Sequence, residues 1–109
     1  MDEQTTVAKR ADTRAEVIAI LEANAKAIRG FGATALYLFG SAARDQMGPD
    51  SDVDMYMEYD PEGPFSFVEL IDLQEHLKRA LGREIGLATR AGLHPRLKAH
   101  IESTAMRVL

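Results

Sequence analysis

Apolar residues recur at helical spacing in three stretches of the chain. Two of these stretches open on a capping box, in which a hydroxyl residue is followed three positions later by glutamate, and both are followed by a glycine. The third has a proline in its first turn, where the missing amide hydrogen has no helical partner to lose. The predicted helices are 13–29, 66–81 and 95–108.

Between these helices lie three short stretches whose pattern predicts strands, at 35–39, 51–59 and 84–89. The first is almost wholly apolar, as strands covered on both faces are. A short helix over 41–47 and a Gly-Pro-Asp turn separate it from the second. The order of these elements predicts an α+β fold, in which helices flank a small mixed β-sheet.

The length and composition of the chain restrict the class of protein. Its 109 residues suffice for one core, so we expect a polar, mobile lead-in over 1–12 and a single domain over 13–109. The absence of cysteine excludes disulfides, thiolate metal sites and thiol nucleophiles. No apolar run is long enough for a membrane span and the first residues are too polar for a signal peptide, so we expect a cytoplasmic location. A net charge of −4 makes nucleic acid an unfavourable direct substrate.

The stretch FGSAARDQMGPDSDVDM combines residue types that bind metals with residue types that bind phosphates. Asp52 and Asp54 are two positions apart on a predicted strand, so their side chains lie on one face, about 7 Å apart along it. Such carboxylates can bind a hard cation such as Mg²⁺, which shares its ligands with substrate phosphates. Gly40 and Ser41 end one strand and open a helix whose amides favour an anion, and Arg44 adds a fixed positive charge. Each feature alone is common on protein surfaces, but their joint occurrence predicts phosphoryl or nucleotidyl transfer.

The same stretch resembles the signature of the minimal nucleotidyltransferase (MNT) domains of the DNA polymerase beta superfamily. The matching residues are Phe39, Gly40, Ser41, Ala43, Arg44, Pro49, Asp50, Ser51, Asp52 and Asp54. The resemblance implies the polymerase beta-like fold, with Mg²⁺ and catalysis at Asp52 and Asp54. It implies that ATP or another nucleoside triphosphate contacts Gly40 and Ser41, and it adds Ser51 to the phosphate-binding set with Arg44. Family members often pair with a helical HEPN-domain RNase toxin, and some transfer AMP from ATP to a tyrosine of that toxin.

The third predicted strand departs from the family pattern. Relatives carry a third carboxylate there, in a pattern such as L-G-R-x-V-D-L-V, whereas this chain reads LGREIGLAT, with Gly86 at that position. By the resemblance, the carboxylate helps to hold a second metal and activates the attacking hydroxyl, which glycine cannot do. Glu84 and Glu58 are candidate replacements, with an ordinary solvated glutamate as the alternative for each. Asp45 replaces a glycine usual in the family and would weaken nucleotide binding if it faced the phosphates.

The sequence therefore leaves two functions open. The first is an Mg-dependent nucleotidyltransferase that transfers AMP from ATP to a hydroxyl of a HEPN toxin and acts as its antitoxin. The second is a module of the same fold that binds nucleotide or partner but is impaired in catalysis, because its third carboxylate position is Gly86.

Overall fold

The structure, a computed structural model, describes residues 10–109, which form one mixed sheet and five α-helices. The first nine residues of the predicted lead-in lie outside this range. In chain order the elements are α1 (Arg14–Ala23), α2 (Ala25–Gly30), β1 (Ala33–Phe39), α3 (Gly40–Ala43), β2 (Val53–Tyr59), α4 (Phe67–Leu81), β3 (Ile85–Thr89), a 3₁₀ turn (Arg90–Gly92), α5 (Pro95–Thr104) and β4 (Met106–Arg107). None of the helices between residues 10 and 109 combines the length and the apolar character needed to cross a lipid bilayer.

The four strands are ordered β3-β2-β1-β4 across the sheet. Strand β1 is antiparallel to both β2 and β4, whereas β2 and β3 run parallel. Parallel neighbours need a crossover connection, and α4 provides it. The predicted α+β class with a mixed sheet flanked by helices is confirmed.

One face of the sheet packs against the helices and forms the core. Alternate residues of β1 and β2 point to this face and are fully buried: Leu36, Leu38, Val53, Met55 and Met57. They meet a row of fully buried leucines spaced four residues apart on α4, at Leu73, Leu77 and Leu81. Because side chains alternate along a strand, the intervening residues of β2, among them Asp54, point to the opposite face.

Long-range contacts explain where two helices differ from the prediction. The first predicted helix is interrupted at Asn24. The side-chain Nδ2 of Asn24 donates to the Ile20 carbonyl at 2.8 Å, and its Oδ1 lies 3.0 Å from Nε2 of His76 on α4. The last helix ends at Thr104, before the predicted end at residue 108. The residues after it pair with β1, and the Val108 amide donates to the Leu36 carbonyl at 2.8 Å.

Candidate functional site

The carboxylate of Asp54 lies between two glycines. In the sheet Asp54 pairs with Phe39 of β1 on one side and with Gly86 of β3 on the other. A Cβ atom at Gly86 would lie 2.9 Å from Asp54 Oδ1, and one at Gly40 would lie 3.0 Å from Asp54 Oδ2. Gly40 also has a φ of 68°, in the left-handed region that favours glycine. The two carboxylate oxygens therefore occupy space that side chains at these positions would need.

Asp52 lies close to this carboxylate but not on the strand that was predicted to carry both. Strand β2 begins at Val53, so Asp52 precedes it, in the exposed end of the connection from α3. Burial, and secondarily the negative charge of Asp52, raise the pKa of the half-buried Asp54 carboxyl. A divalent cation would stabilise the ionised Asp54 carboxylate beside the negative charge of Asp52. The donor set thus fits Mg²⁺, with the remaining ligands left to water and phosphate.

Among the described residues, no side chain replaces the third carboxylate beside this pair. Within residues 10–109, no cluster of three acidic or histidine side chains that could hold a metal ion is present. The Glu84 carboxylate lies 3.1 Å from the Lys78 ammonium group, and that ion pair raises the pKa of Lys78. Glu58 is bound to Arg90, with 2.7 Å between carboxylate and guanidinium, and it accepts a hydrogen bond from the Tyr37 hydroxyl. Both candidate glutamates therefore bind other partners, and neither supplies the carboxylate that Gly86 lacks.

The other residues of the predicted phosphate-binding set lie on α3 and in the connection from α3 to β2, and their side chains differ in exposure. Ser41 is half-buried in the short helix α3. Arg44 is exposed, and its Nε donates to the side-chain oxygen of Gln46 at 3.2 Å. The Ser51 hydroxyl accepts a hydrogen bond from the Gly48 amide at 2.8 Å. The geometry brings Gly40 next to Asp54, while the nucleotide contacts of Ser41, Arg44 and Ser51 stay predictions.

The carboxylate of Asp45 is bound to the first helix. Its Oδ1 accepts the backbone N–H of Arg14, the first residue of α1, at 2.8 Å. This amide has no partner within the helix, and a negative charge near a helix N-terminus is favourable. Asp45 also has a φ of 57°, which explains why a glycine suits this position. The side chain thus joins the α3 turn to α1.

Replacing Asp45 with alanine is expected to lower the free energy of unfolding by about 2 kcal/mol, because alanine disfavours the left-handed conformation and leaves the Arg14 amide without its acceptor. Urea denaturation would measure the loss. Asp45→Asn is the matched control, since asparagine tolerates this conformation and keeps a side-chain oxygen. Equal losses in the two variants would contradict the assigned role of the carboxylate oxygen.

Arg83, which the sequence patterns did not single out, is the buried charged residue of the described chain, with 6% of its surface exposed. Its Nε donates to the Ala11 carbonyl, and its Nη1 donates to the carbonyls of Gly48 at 3.0 Å and Ser51 at 2.9 Å. Its Nη2 lies 3.1 Å from a carboxylate oxygen of Asp12. The sequence has no local signal for this burial, because the neighbouring Glu84 shares the same sequence context and is exposed.

A family model supports the interpretation of this geometry. The model for the nucleotidyltransferase domain matches residues 17–107, which include the Gly40 turn, Asp52, Asp54 and Gly86. The chain belongs to the nucleotidyltransferase domain family. The family predicted from the sequence is thus confirmed.

Individual relatives of this nucleotidyltransferase-family chain agree with the assignment. The protein adenylyltransferase MntA of Thermococcus cleftensis is 34% identical over 96 residues, which are 87% of this chain and 91% of the relative. A solved structure assigned to the minimal nucleotidyltransferases has a TM-score of 0.67 at 28% identity, over 85% of this chain and 89% of the other. A chain in the complex of a tri-AMPylated Shewanella oneidensis HEPN toxin with an MNT antitoxin has a TM-score of 0.62 at 16% identity, over 85% of this chain and 71% of the other. At that identity the last match shows the fold alone.

Proposed function

We propose that this chain transfers AMP from ATP to a hydroxyl group of a HEPN-type toxin and acts as its antitoxin. The observation that carries the proposal is the placement of the Asp54 carboxylate against the Gly40 turn, with Asp52 beside it. This arrangement puts a metal-binding pair next to backbone that a phosphate can approach closely. The relative from Thermococcus cleftensis, itself named a protein adenylyltransferase, supports AMP as the group transferred and a protein as the acceptor.

Each residue of the site has a role in this proposal. Asp52 and Asp54 would hold Mg²⁺, which when bound neutralises triphosphate charge and polarises the α-phosphoryl group. The backbone at Gly40 and Ser41 admits the triphosphate, and the Arg44 guanidinium offsets its negative charge. The acceptor oxygen forms a bond to the α-phosphorus, the bond from that phosphorus to the bridging oxygen breaks, and pyrophosphate leaves. The hydroxyl proton goes to solvent, because Gly86 offers no base beside Asp54.

Gly86 favours a second function, in which the chain binds nucleotide or the toxin without efficient catalysis. Since Glu84 and Glu58 are bound to Lys78 and Arg90, the described residues provide two carboxylates at the site where the family pattern implies three. A chain with this deficit would retain the fold and a cation site while transferring AMP slowly. It would then protect the cell by binding nucleotide or the toxin rather than by modifying the toxin.

Label transfer distinguishes the two functions. The chain would be incubated with α-³²P ATP, Mg²⁺ and a HEPN-domain protein as the acceptor, with Asp52→Asn as the inactive control. Label on the HEPN protein that is absent with the control is the result expected of a transferase. Toxin neutralisation that survives in Asp52→Asn, without label from either form, would instead establish the binding function.

A further inference from the structure

We propose that Arg83 is the positioning residue for Asp52. The inference deepens the proposed function and rests on one part of it, the role of Asp52 as a metal ligand. Arg83 does not contact the metal-binding oxygens in this assignment. It acts on the backbone segment from which the Asp52 side chain projects, through its hydrogen bond to the Ser51 carbonyl.

The backbone on each side of Asp52 is bound by the segment between α4 and β3. Immediately before it, the Ser51 carbonyl accepts a hydrogen bond from Arg83 Nη1 at 2.9 Å. Immediately after it, the Val53 amide donates to the Glu84 carbonyl at 2.9 Å. Arg83 Nη1 also binds the Gly48 carbonyl at 3.0 Å, so one guanidinium nitrogen holds both ends of the turn that leads to Asp52.

The neighbouring carboxylate does not depend on these contacts. Asp54 has a strand partner on each side, Phe39 and Gly86, and the sheet itself therefore fixes its backbone. Asp52 precedes β2 and has no such pair of strand neighbours. The sheet thus fixes the backbone of Asp54, whereas the backbone of Asp52 depends on Arg83 before it and on the Val53–Glu84 hydrogen bond after it.

The guanidinium group suits this role chemically. Its side chain is 3% exposed, and a buried charge is tolerated only when its hydrogen-bonding capacity is used. The planar fork reaches three carbonyls and the Asp12 carboxylate at once, each in a fixed direction. An ammonium group is a single point of charge and cannot reproduce this geometry.

Binding of Mn²⁺ by the full chain, followed by electron paramagnetic resonance without nucleotide, tests the proposal. Arg83→Met is expected to weaken binding about 10- to 100-fold, the usual effect of removing a group that orients a metal ligand, and Arg83→Lys to recover part of the loss. Leu73→Ala is the matched control, because it creates a cavity in the core on α4 without touching the turn. It should bind Mn²⁺ as the unmodified chain does.

Backbone ¹⁵N relaxation provides a readout that needs no metal. In Arg83→Lys, and in Arg83→Met where it folds, order should fall at residues 51 and 52 but not at 54–57. Unchanged order at Asp52, or unchanged Mn²⁺ affinity in folded Arg83→Met, would overturn the proposal. If the unmodified chain binds no Mn²⁺, the proposed metal chemistry fails, and relaxation alone still decides whether Arg83 positions Asp52.

Discussion

Replacing Gly86 with aspartate is expected to increase AMP transfer by about 10²- to 10⁴-fold, the usual contribution of a positioned general base. Position 86 is directly opposite Asp54 in the parallel pair of β2 and β3, so a carboxylate there would join the existing two. Its Cβ would lie 2.9 Å from Asp54 Oδ1, and a small rotation of that carboxylate relieves the contact. The rate of label transfer from α-³²P ATP in the two chains measures the effect.

Gly86→Asn is the matched control for this experiment, because asparagine imposes the same steric demand on Asp54 without adding a base. We expect asparagine to leave the rate at or below that of the unmodified chain. A similar rate in the aspartate and asparagine variants would show that the missing carboxylate does not limit this chain. The comparison needs saturating Mg²⁺, since three neighbouring carboxylates repel one another when no cation is bound.

Replacing Asp54 with asparagine is expected to abolish transfer and to weaken Mn²⁺ binding by at least about 100-fold, beyond the usual effect of changes around a metal ligand. The same substitution should make the metal-free fold more stable at neutral pH. Burial and the charge of Asp52 raise the pKa of Asp54 above its unfolded value. The native state therefore holds this proton more tightly than the unfolded state, and ionised Asp54 lowers stability at pH values above its native pKa.

Urea denaturation without divalent cations tests the stability part of this prediction. The advantage of Asp54→Asn should be largest above the raised native pKa and should shrink as the pH falls through that value towards the unfolded one. Asp52→Asn is the comparison variant, and its gain should be smaller, because it removes the secondary cause of the raised Asp54 pKa and leaves the burial of Asp54 in place. An Asp54→Asn protein less stable than the unmodified chain at neutral pH would contradict the prediction.

Local signals in the sequence accounted for much of the fold. The capping boxes at Thr13 and Ser66 are both formed, with each glutamate bound back to the cap amide. Gly82 ends α4 with a φ of 66°, as expected of a left-handed cap. Helix starts and stops of this kind depend on residues within one turn of each other, so the sequence alone specifies them.

Features that depend on residues distant in the chain could not be predicted from such local signals. The break at Asn24 involves His76 on α4, and β4 forms only because β1 offers an edge. In the site, the alternating pattern of the sequence predicts that Asp52 and Asp54 lie on one strand, but β2 begins at Val53, after Asp52. The role of Arg83 arises from carbonyls far away in the chain, which no local pattern records.

The parallel pairing of β2 with β3 also bears on the order in which the site forms during folding. Between Gly40 and Asp54 the chain forms only α3 and the connection to β2, whereas between Asp54 and Gly86 it forms the rest of β2 and the whole of α4. Closing the longer loop costs more chain entropy, and parallel contacts of this kind form slowly. We therefore expect the Asp54 carboxylate to keep its water on the Gly86 side until β3 docks. The partial burial of this carboxylate would then come late in folding, together with completion of the sheet.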